Sequence, residues 1–215
     1  MAVVFSQDEL DRVAACTSEL HLQRGQNLFN RGDPCVGFHV VVHGQVKLAF
    51  TSQQGAEKVI EIVGPGLSFG EALMFMEKAY ILYAQTLVDS LVLHVSRAVV
   101  FEELERDPRF ARKMLAGLSR RLHGLINDVE AYSLRSGAQR VVGYLSRQDE
   151  ESAAQAGSYK VMLPTSKTVV ASRLNLTPEH FSRILHELTE EGLITVSGRE
   201  IAILDSERLR GYQGQ

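Results

Sequence analysis

The chain has 215 residues, a formal net charge of −3, 45% hydrophobic residues and 23% charged residues. This composition is ordinary for a soluble globular protein of one or two domains, and no apolar run reaches the ~18–20 residues that a membrane span requires. The slightly acidic balance does not favour a nucleic-acid-binding protein, so any contact with DNA must come from a local patch.

The N-terminal residues and the cysteines indicate the cellular compartment. The N-terminus has no basic segment and soon reaches Asp8, Glu9 and Asp11, which predicts a cytoplasmic protein rather than a secreted one. The two cysteines, Cys16 and Cys35, form no Cys-x-x-Cys pair. We therefore predict two reduced thiols, with no iron–sulfur cluster and no structural zinc site.

Residues 22–95 are predicted to be β-structure, because short β-branched or alternating segments are separated by turn residues. The predicted strands are residues 38–43, 46–50, 57–63, 80–88 and 91–95, joined as hairpins at Gly44-Gln45, Gln54-Gly55 and Asp89-Ser90. Alternation places Val46, Leu48 and Phe50 on one face of their strand. Short strands at intervals of about 8–12 residues indicate a sandwich or a barrel.

The pattern changes to a helical period after Asp107-Pro108, an N-cap followed by proline at the first helical position. A helix from Pro108 to about Leu134 would be ~40 Å long. Its apolar residues recur every three or four positions and form a narrow seam, which is typical of a two-stranded coiled coil. The seam consists of Leu115, Leu118, Leu122, Leu125, Val129 and Tyr132. We therefore predict a homodimer; the alternative is a lone helix packed against the β-structure.

The C-terminal region is predicted to hold three helices and a hairpin. The elements are a helix over residues 137–147, a polar linker over 149–158, a short helix over 167–174, a turn at Asn175-Leu176, a second helix, and a hairpin that turns at Ser197-Gly198. Thr177 caps the second helix, Pro178 is its first residue, and Gly192 follows its end. Helix, tight turn, helix and hairpin are the outline of a winged helix-turn-helix.

One face of the second helix has the chemistry of a DNA reader. Glu179, Ser182 and Arg183 lie at positions i, i+3 and i+4, and four apolar residues fall on the opposite side. Arginine can bind guanine, glutamate can accept from cytosine, and serine can serve either class of base. The preceding segment supplies candidates for phosphate contacts, namely Thr165, Ser166, Lys167 and Thr168. The alternative is that Glu179 and Arg183 form only a surface ion pair.

Three motifs resemble those of a known family. They are Gly25-x-x-Leu28-Phe29-x-x-Gly32-Asp33, Val42-x-Gly44-x-Val46 with Phe69-Gly70-Glu71, and Glu179-x-x-Ser182-Arg183. The first two resemble the cyclic-nucleotide-binding fold of the CRP/FNR regulator superfamily, and the third is similar to the recognition helix of its FNR branch. The resemblance implies an α+β protein with an effector-sensing β-roll (a jelly roll) over residues 1–106, a dimerisation helix over 107–134, and a winged helix-turn-helix over 135–215.

Within the FNR branch, two longer segments resemble the dissimilatory nitrate respiration regulators (DNR type). They are Glu71-Ala72-x-Met74-Phe75-Met76 and the C-terminal run from Phe181-Ser182-Arg183 to Ile203-Leu204-Asp205. This resemblance implies a regulator rather than an enzyme, with double-stranded DNA as its partner and a palindrome of TTGAT-like half-sites as its target. It also implies control of denitrification or nitrosative-stress genes by nitric oxide, through haem b, and RNA polymerase as a partner if the protein activates transcription.

The sequence departs from the cyclic-AMP receptors where their effector binds. The stretch Ile81-Leu82-Tyr83 replaces the Arg-Ser pair that holds the phosphate, so we predict that cyclic AMP does not bind. The predicted effector pocket consists of Gly70, Glu71, Met74, Phe75, Tyr80, Leu82 and Tyr83. Its apolar character suits haem or another small apolar effector; the alternative is that these side chains only fill the core of the β-roll.

The candidates for a haem ligand in the sensor region are four histidines, His21, His39, His43 and His94. Ligands that the DNR relatives supply from an N-terminal extension are not carried over. His39 and His43 cannot share one metal ion from a strand, because residues four apart are ~13 Å distant there.

One motif points to a different class of protein. Gly66-x-Ser68-x-Gly70 matches the nucleophile elbow of serine hydrolases. The elbow needs a parallel strand before it and a helix after it, whereas this segment lies among antiparallel hairpin signals. We therefore predict that the chain is not an enzyme, with a hydrolase as the remote alternative.

Overall fold

The structure is a computed structural model that describes residues 17–52, 54–147 and 158–212. The chain divides into two compact units, Met1–Leu125 and Ile126–Gln215. Cys16 and, apart from Ser158, the predicted linker over 149–158 lie outside the described residues. In the part of the chain that is described, no helix is both long and apolar enough to cross a membrane.

The first unit contains two four-stranded antiparallel sheets, as the sequence predicts for a β-roll. The strands are β1 (Thr17–Leu22), β2 (Asn27–Phe29), β3 (Gly37–His43), β4 (Val46–Thr51), β5 (Glu57–Val63), β6 (Ser68–Phe69), β7 (Tyr83–Thr86) and β8 (Ser90–Ser96). One sheet has the strand order β1-β8-β3-β6 and the other has the order β2-β7-β4-β5. Buried aromatic and branched side chains, including Phe38, Val41, Phe69 and Val92, form the core of this unit.

Two of the three predicted hairpins are wrong. Strands β3 and β4 belong to different sheets, and so do β7 and β8, whereas β4 and β5 pair around the Gln54-Gly55 turn as predicted. At Gly44 the chain crosses between the sheets with a φ of 88°, and a Cβ there would lie 2.2 Å from the Ser90 hydroxyl. The tight turn therefore passes the chain from one layer to the other instead of pairing its two strands.

The alternation predicted for β4 is confirmed for Val46 and Leu48, which both lie in the core of the first unit, but it does not extend to Phe50, which is half-buried beside the buried Ala49. The pairing of β4 with β5 shifts register between Leu48 and Ala49, which breaks the two-residue period. Lys47 is tolerated inside because its ammonium forms a 2.5 Å ion pair with Glu57.

Among the described residues, three helices complete the first part of the chain. Helix α1 (Glu71–Phe75) and helix α2 (Arg97–Arg106) were not predicted, and α1 interrupts a region expected to be all β. The long helix α3 (Pro108–Leu134) has the predicted bounds. A carboxylate oxygen of Asp107 accepts a hydrogen bond from the backbone N–H of Arg109 at 2.9 Å, as expected of an N-cap.

The second unit has the predicted winged helix-turn-helix outline. Its further elements are α4 (Gly137–Arg147), β9 (Tyr159–Met162), α5 (Lys167–Arg173), α6 (Pro178–Glu190), β10 (Ile194–Ser197), β11 (Glu200–Ile203) and α7 (Ser206–Arg210). The hairpin of β10 and β11 is extended by the unpredicted strand β9, which pairs with β11. A single core, built from all of these elements, fixes the helices on the small sheet.

Candidate DNA-binding surface and effector region

Helix α6 presents two chemically different faces. The Thr177 side chain accepts a hydrogen bond from the backbone N–H of His180 at 3.2 Å and caps the helix, with Pro178 following as predicted. Glu179, Ser182 and Arg183 are exposed. The opposite face is fully buried and consists of Phe181, Ile184, Leu185 and Leu188. The predicted separation of an exposed polar face from a packed apolar face is therefore confirmed.

Arg183 does not pair with Glu179 as the alternative had it. The carboxylate nearest to it is that of Glu187, one turn further along the helix, with 3.8 Å between Nε and Oε1. The arginine side chain is 67% exposed, and exposed pairs of this kind contribute at most ~1 kcal/mol. A DNA base can therefore replace Glu187 as the partner of the guanidinium with little loss of free energy.

The four predicted phosphate contacts are not equivalent. Ser166 and Thr168 are exposed at the start of α5, and Lys167 is half-buried. Thr165 is only 7% exposed, so its hydroxyl lies inside the fold and it does not belong to the surface set. The Ser166 hydroxyl also accepts from the backbone N–H of Val169 at 3.4 Å and so caps α5.

A polar network supports the turn between α5 and α6, and the sequence analysis missed it. Arg140 of α4 donates to the backbone carbonyls of Leu174 and Asn175 at 2.7 and 3.0 Å. Arg173 forms a 2.6 Å ion pair with Asp128. Tyr132, predicted to lie in the dimer seam, is half-buried and donates its hydroxyl to the Arg173 carbonyl at 2.6 Å. Periodicity in the sequence does not predict polar contacts between residues so far apart in the chain.

The rest of the predicted seam is an apolar stripe on α3. Leu115, Leu122, Leu125 and Val129 are each 45% exposed or more, and Leu118 is half-buried. Ile126, which was not predicted, is exposed beside them. A stripe of large apolar side chains open to water on one helix is the usual mark of a surface that another chain covers.

In the predicted effector pocket, Glu71 is buried and its carboxylate is tied to the long helix. Arg121 of α3 donates to Glu71 at 3.3 Å, to the carboxylate of Glu61 at 2.6 Å, and to the backbone carbonyl of Ser68 at 2.7 Å. The preceding residue, Gly70, has a φ of 98°, which favours glycine. The sequence analysis did not predict Arg121 and Glu61 as part of this region, because the spacing of apolar residues on the helix carries no information about its polar side chains.

For part of the predicted pocket, the alternative reading is the correct one. Met74 and Tyr80 are buried in the core of the first unit, and the Tyr80 ring stacks on Phe29 with 3.5 Å between centroids. Phe75 is half-buried, and its ring meets Phe101 edge-on. These three side chains therefore contribute to the packing of the first unit.

Leu82 and Tyr83 do line a cleft, of about 440 Å³, but it is not the apolar pocket that was predicted. Its other lining residues are Asn27, Asn30, Arg31, Ala49, Phe50, Thr51, Glu57 and Gln85. The Tyr83 hydroxyl donates to Glu57, whose carboxylate also pairs with Lys47. The cleft is therefore polar, and Arg31 gives it a cation that the sequence analysis missed.

The four candidate haem ligands occupy two kinds of environment, and none lines this cleft. His21 and His43 are exposed. His39 is buried, with its Nε2 3.2 Å from Nδ1 of His94 and its ring close to Phe69. Burial and the neighbouring His94 lower the pKa of His39 to about 3, and burial lowers the pKa of His94. Among the described residues, no three His, Cys, Asp or Glu side chains are grouped as a metal site.

The hydrolase alternative lacks its geometry. Ser68 lies in β6, which pairs antiparallel with β3, and the helix that follows has only five residues. A nucleophile elbow requires a strand of a parallel sheet leading into a helix. The backbone carbonyl of Ser68 is instead an acceptor for Arg121.

Comparisons with known proteins agree with this architecture. The cyclic nucleotide-binding domain family matches residues 19–107, and the Crp-like helix-turn-helix domain family matches residues 139–212. The chain is 24% identical over 212 residues to a CRP-like cAMP-activated global transcriptional regulator of Mycobacterium tuberculosis, with 97% of this chain and 95% of that protein covered.

Solved structures give the same result. DNR from Pseudomonas aeruginosa is 35% identical, with 97% of this chain and 91% of that chain covered and a TM-score of 0.50. FixK2 from Bradyrhizobium japonicum has the same fold, with a TM-score of 0.80 at 24% identity over 93% of this chain and 98% of that chain. The chain therefore belongs to the CRP/FNR superfamily of DNA-binding transcription regulators.

Proposed function

We propose that the protein binds a palindromic DNA site as a homodimer and reads TTGAT-like half-sites with Glu179, Ser182 and Arg183. The observation that carries this proposal is the exposed face of α6, where these three side chains share one surface of a helix that is capped and packed. A guanidinium with only a long ion pair to Glu187 suits bidentate contact with a guanine. Ser166, Lys167 and Thr168 then contact phosphates and fix the register.

The homodimer is proposed from the apolar stripe on α3. Its side chains recur at the spacing of a coiled-coil seam and are open to water in the single chain. Two copies joined along α3 would present two reading helices, and a palindrome offers two equivalent half-sites about one DNA turn (~34 Å) apart. Double-stranded DNA is thus the proposed partner. RNA polymerase is a further partner if the protein activates transcription. The proposed compartment is the cytoplasm, where both partners occur.

The proposed regulation is a small effector that shifts a two-state equilibrium of the dimer. The contact of Arg121 with Glu61 and Glu71 ties α3 to the β-roll, so a ligand that alters this contact would act directly on the dimer helix. The resemblance to DNR, at 35% identity, favours nitric oxide as the signal, haem b as its sensor, and genes of denitrification or nitrosative stress as the targets.

The environments of the four candidate histidines of the sensor region do not favour any of them as an axial ligand of haem. His39 is packed against the Phe69 ring and opposed by His94 at 3.2 Å, whereas His21 and His43 are exposed and line no part of the cleft. Haem would supply an iron that binds nitric oxide, but we assign no residue to it. An absorption spectrum of the purified protein with and without added haem tests this part of the proposal, and absence of a Soret shift would leave another small effector.

The cleft beside Arg31 favours a second class of effector. Asn27, Asn30 and Gln85 contribute amide groups to its wall, and Arg31 contributes a positive charge. Such a set of hydrogen-bond donors suits a small polar anion better than it suits an apolar effector.

DNA binding is tested by fluorescence anisotropy with a TTGAT-type palindrome and with a scrambled duplex of the same composition. We expect the palindrome to bind at least ~10³-fold more tightly than the scrambled duplex at physiological salt. Equal affinity for the two duplexes would contradict the proposed function.

A further inference from the structure

The turn of the helix-turn-helix is held by side chains from outside it. Three successive backbone carbonyls, those of Arg173, Leu174 and Asn175, accept hydrogen bonds from Tyr132 and Arg140. The last carbonyls of a helix have no partner within the helix and carry its partial negative charge. A guanidinium and a hydroxyl supplied by α4 and α3 therefore satisfy the end of α5 where it leads into the turn.

The side chain of Arg173 completes a second connection between α5 and the end of α3. Its Nη2 is 2.6 Å from Oδ2 of Asp128, and its Nη1 donates to the Tyr132 hydroxyl at 2.5 Å. Only 21% of the Arg173 side chain and 15% of the Asp128 side chain are exposed, so solvent screens this pair weakly. Burial raises the pKa of Tyr132, which keeps its hydroxyl protonated as a donor.

The path from this network to the reading face is short. Asn175 adopts a left-handed conformation with a φ of 57°, and Thr177, two residues later, is the cap of α6. The backbone N–H of Leu176 donates to the carbonyl of Ala171, which closes the turn. The position of α6 relative to the last turns of α3 is therefore fixed through a rigid connection of few residues.

We propose that Asp128, Tyr132, Arg140 and Arg173 are positioning residues that set the distance between the two half-sites which the dimer accepts. This inference rests on the proposed function, because it requires a homodimer joined along α3 and a palindromic target. The dimer fixes the two α3 helices, and the network fixes each reading helix to the end of its own α3. None of the four residues lies on the reading face of α6, so base preference within a half-site is set elsewhere.

The test uses the chain of 215 residues and a set of duplexes that carry two TTGAT-like half-sites at spacings varied in single base-pair steps. One step moves a half-site by ~3.4 Å and rotates it by roughly a tenth of a turn, so a rigid dimer discriminates between neighbouring spacings. Arg140→Met removes the donors to the turn with little change in length. We expect the ratio of affinities for the optimal and the one-step-shifted spacing to fall by about tenfold, which corresponds to about 1.4 kcal/mol.

Matched variants separate positioning from a general loss of stability. Arg140→Lys keeps a cation at the carbonyls and should retain most of the spacing preference. Arg135→Met removes a nearby arginine that forms an ion pair with the exposed Glu130, and it should leave the spacing profile unchanged. Asp128→Asn weakens the pair with Arg173 while keeping the shape, and it serves if Arg140→Met fails to fold.

The outcomes distinguish this inference from the proposed function. If the wild type prefers one spacing and a folded Arg140→Met or Asp128→Asn variant is equally selective, the positioning role is refuted and the proposed function stands. A uniform loss of affinity at all spacings would refute it in the same way. If the wild type itself prefers no spacing, the proposed dimeric reading of a palindrome is refuted.

Discussion

Arg121 of α3 donates a hydrogen bond to the buried carboxylate of Glu71 at 3.3 Å, and the same guanidinium holds Glu61 at 2.6 Å. Two carboxylates from the β-roll thus share one cation from the long helix. Glu71 opens helix α1 directly after Gly70, in the segment where the sequence predicts an effector pocket. The contact is therefore a physical link between the sensing region and the helix proposed to form the dimer.

Replacing Arg121 by methionine should destabilise the first unit by about 1–3 kcal/mol, because the buried Glu71 carboxylate loses a charged partner. The free energy of unfolding is measured by urea titration, followed by circular dichroism. Arg120→Met is the matched control, since Arg120 is the neighbouring arginine on the same helix and is exposed. Equal effects of the two substitutions would show that the link contributes no stability.

Buried His39, beside half-buried His94, should make stability fall at acid pH. The pKa of His39 is lowered from 6.5 to about 3, so between these values the unfolded chain binds a proton that the folded chain does not. The contribution of His39 to the unfolding free energy should therefore decrease as the pH falls below 6.5, by up to about 1.4 kcal/mol per pH unit. Above pH 6.5 this contribution should be constant.

This pH dependence is measured by urea titration of the wild type and two variants. His39→Leu should flatten the decrease, whereas His21→Leu should not, because His21 is exposed. Parallel pH profiles of the His39 variant and the wild type would contradict the assignment.

The dimer seam should fail when a charge is placed in it. Leu122→Lys would bury an ammonium between two α3 helices, so it should give monomers that no longer bind the palindrome. Sedimentation velocity measures the oligomeric state. Leu134→Lys, on the same helix but outside the seam, should remain dimeric. A monomeric wild type at micromolar concentration would exclude the proposed architecture.

Cyclic AMP should not bind, even though a relative from Mycobacterium tuberculosis is described as cAMP-activated. The segment Ile81-Leu82-Tyr83 supplies no cation for the cyclic phosphate, and the guanidinium of Arg121 is occupied by two carboxylates. Calorimetry should detect no heat of binding at micromolar concentrations. A saturable heat of binding would show that the prediction is wrong. The cation to replace next would then be Arg31, which lines the cleft.

Local signals in the sequence predicted the second unit well. Thr177, Pro178 and Gly192 mark the ends of α6, and the spacing of Phe181, Ile184 and Leu188 identifies its buried face. Each of these signals acts within one or two helical turns. Capping and periodicity therefore suffice to locate the candidate reading face without any tertiary contact.

Contacts between distant residues could not be predicted in the same way. Gly44-Gln45 has the sequence of a hairpin turn, yet it joins two sheets, because β3 and β4 find their partners elsewhere in the chain. Arg121 and Arg140 look like solvated charges on amphipathic helices, and only the fold brings Glu71 and the Leu174 carbonyl to them. Register and long-range polar pairing depend on tertiary packing, which a single sequence does not display.

The most direct test of the DNA-reading assignment is a binding-site selection with Arg183→Ala beside Lys167→Ala. Arg183 is the cation of the reading trio and the natural bidentate partner of a guanine, a contact that contributes ~1–3 kcal/mol of discrimination. Arg183→Ala should weaken binding to the TTGAT-type palindrome and flatten the preference at the guanine, while non-specific duplex is bound almost as before. Lys167→Ala should weaken binding to all sequences alike and lower the salt slope by ~1, as loss of a phosphate contact does. An unchanged base preference in Arg183→Ala would contradict the assignment of α6 as the reading helix.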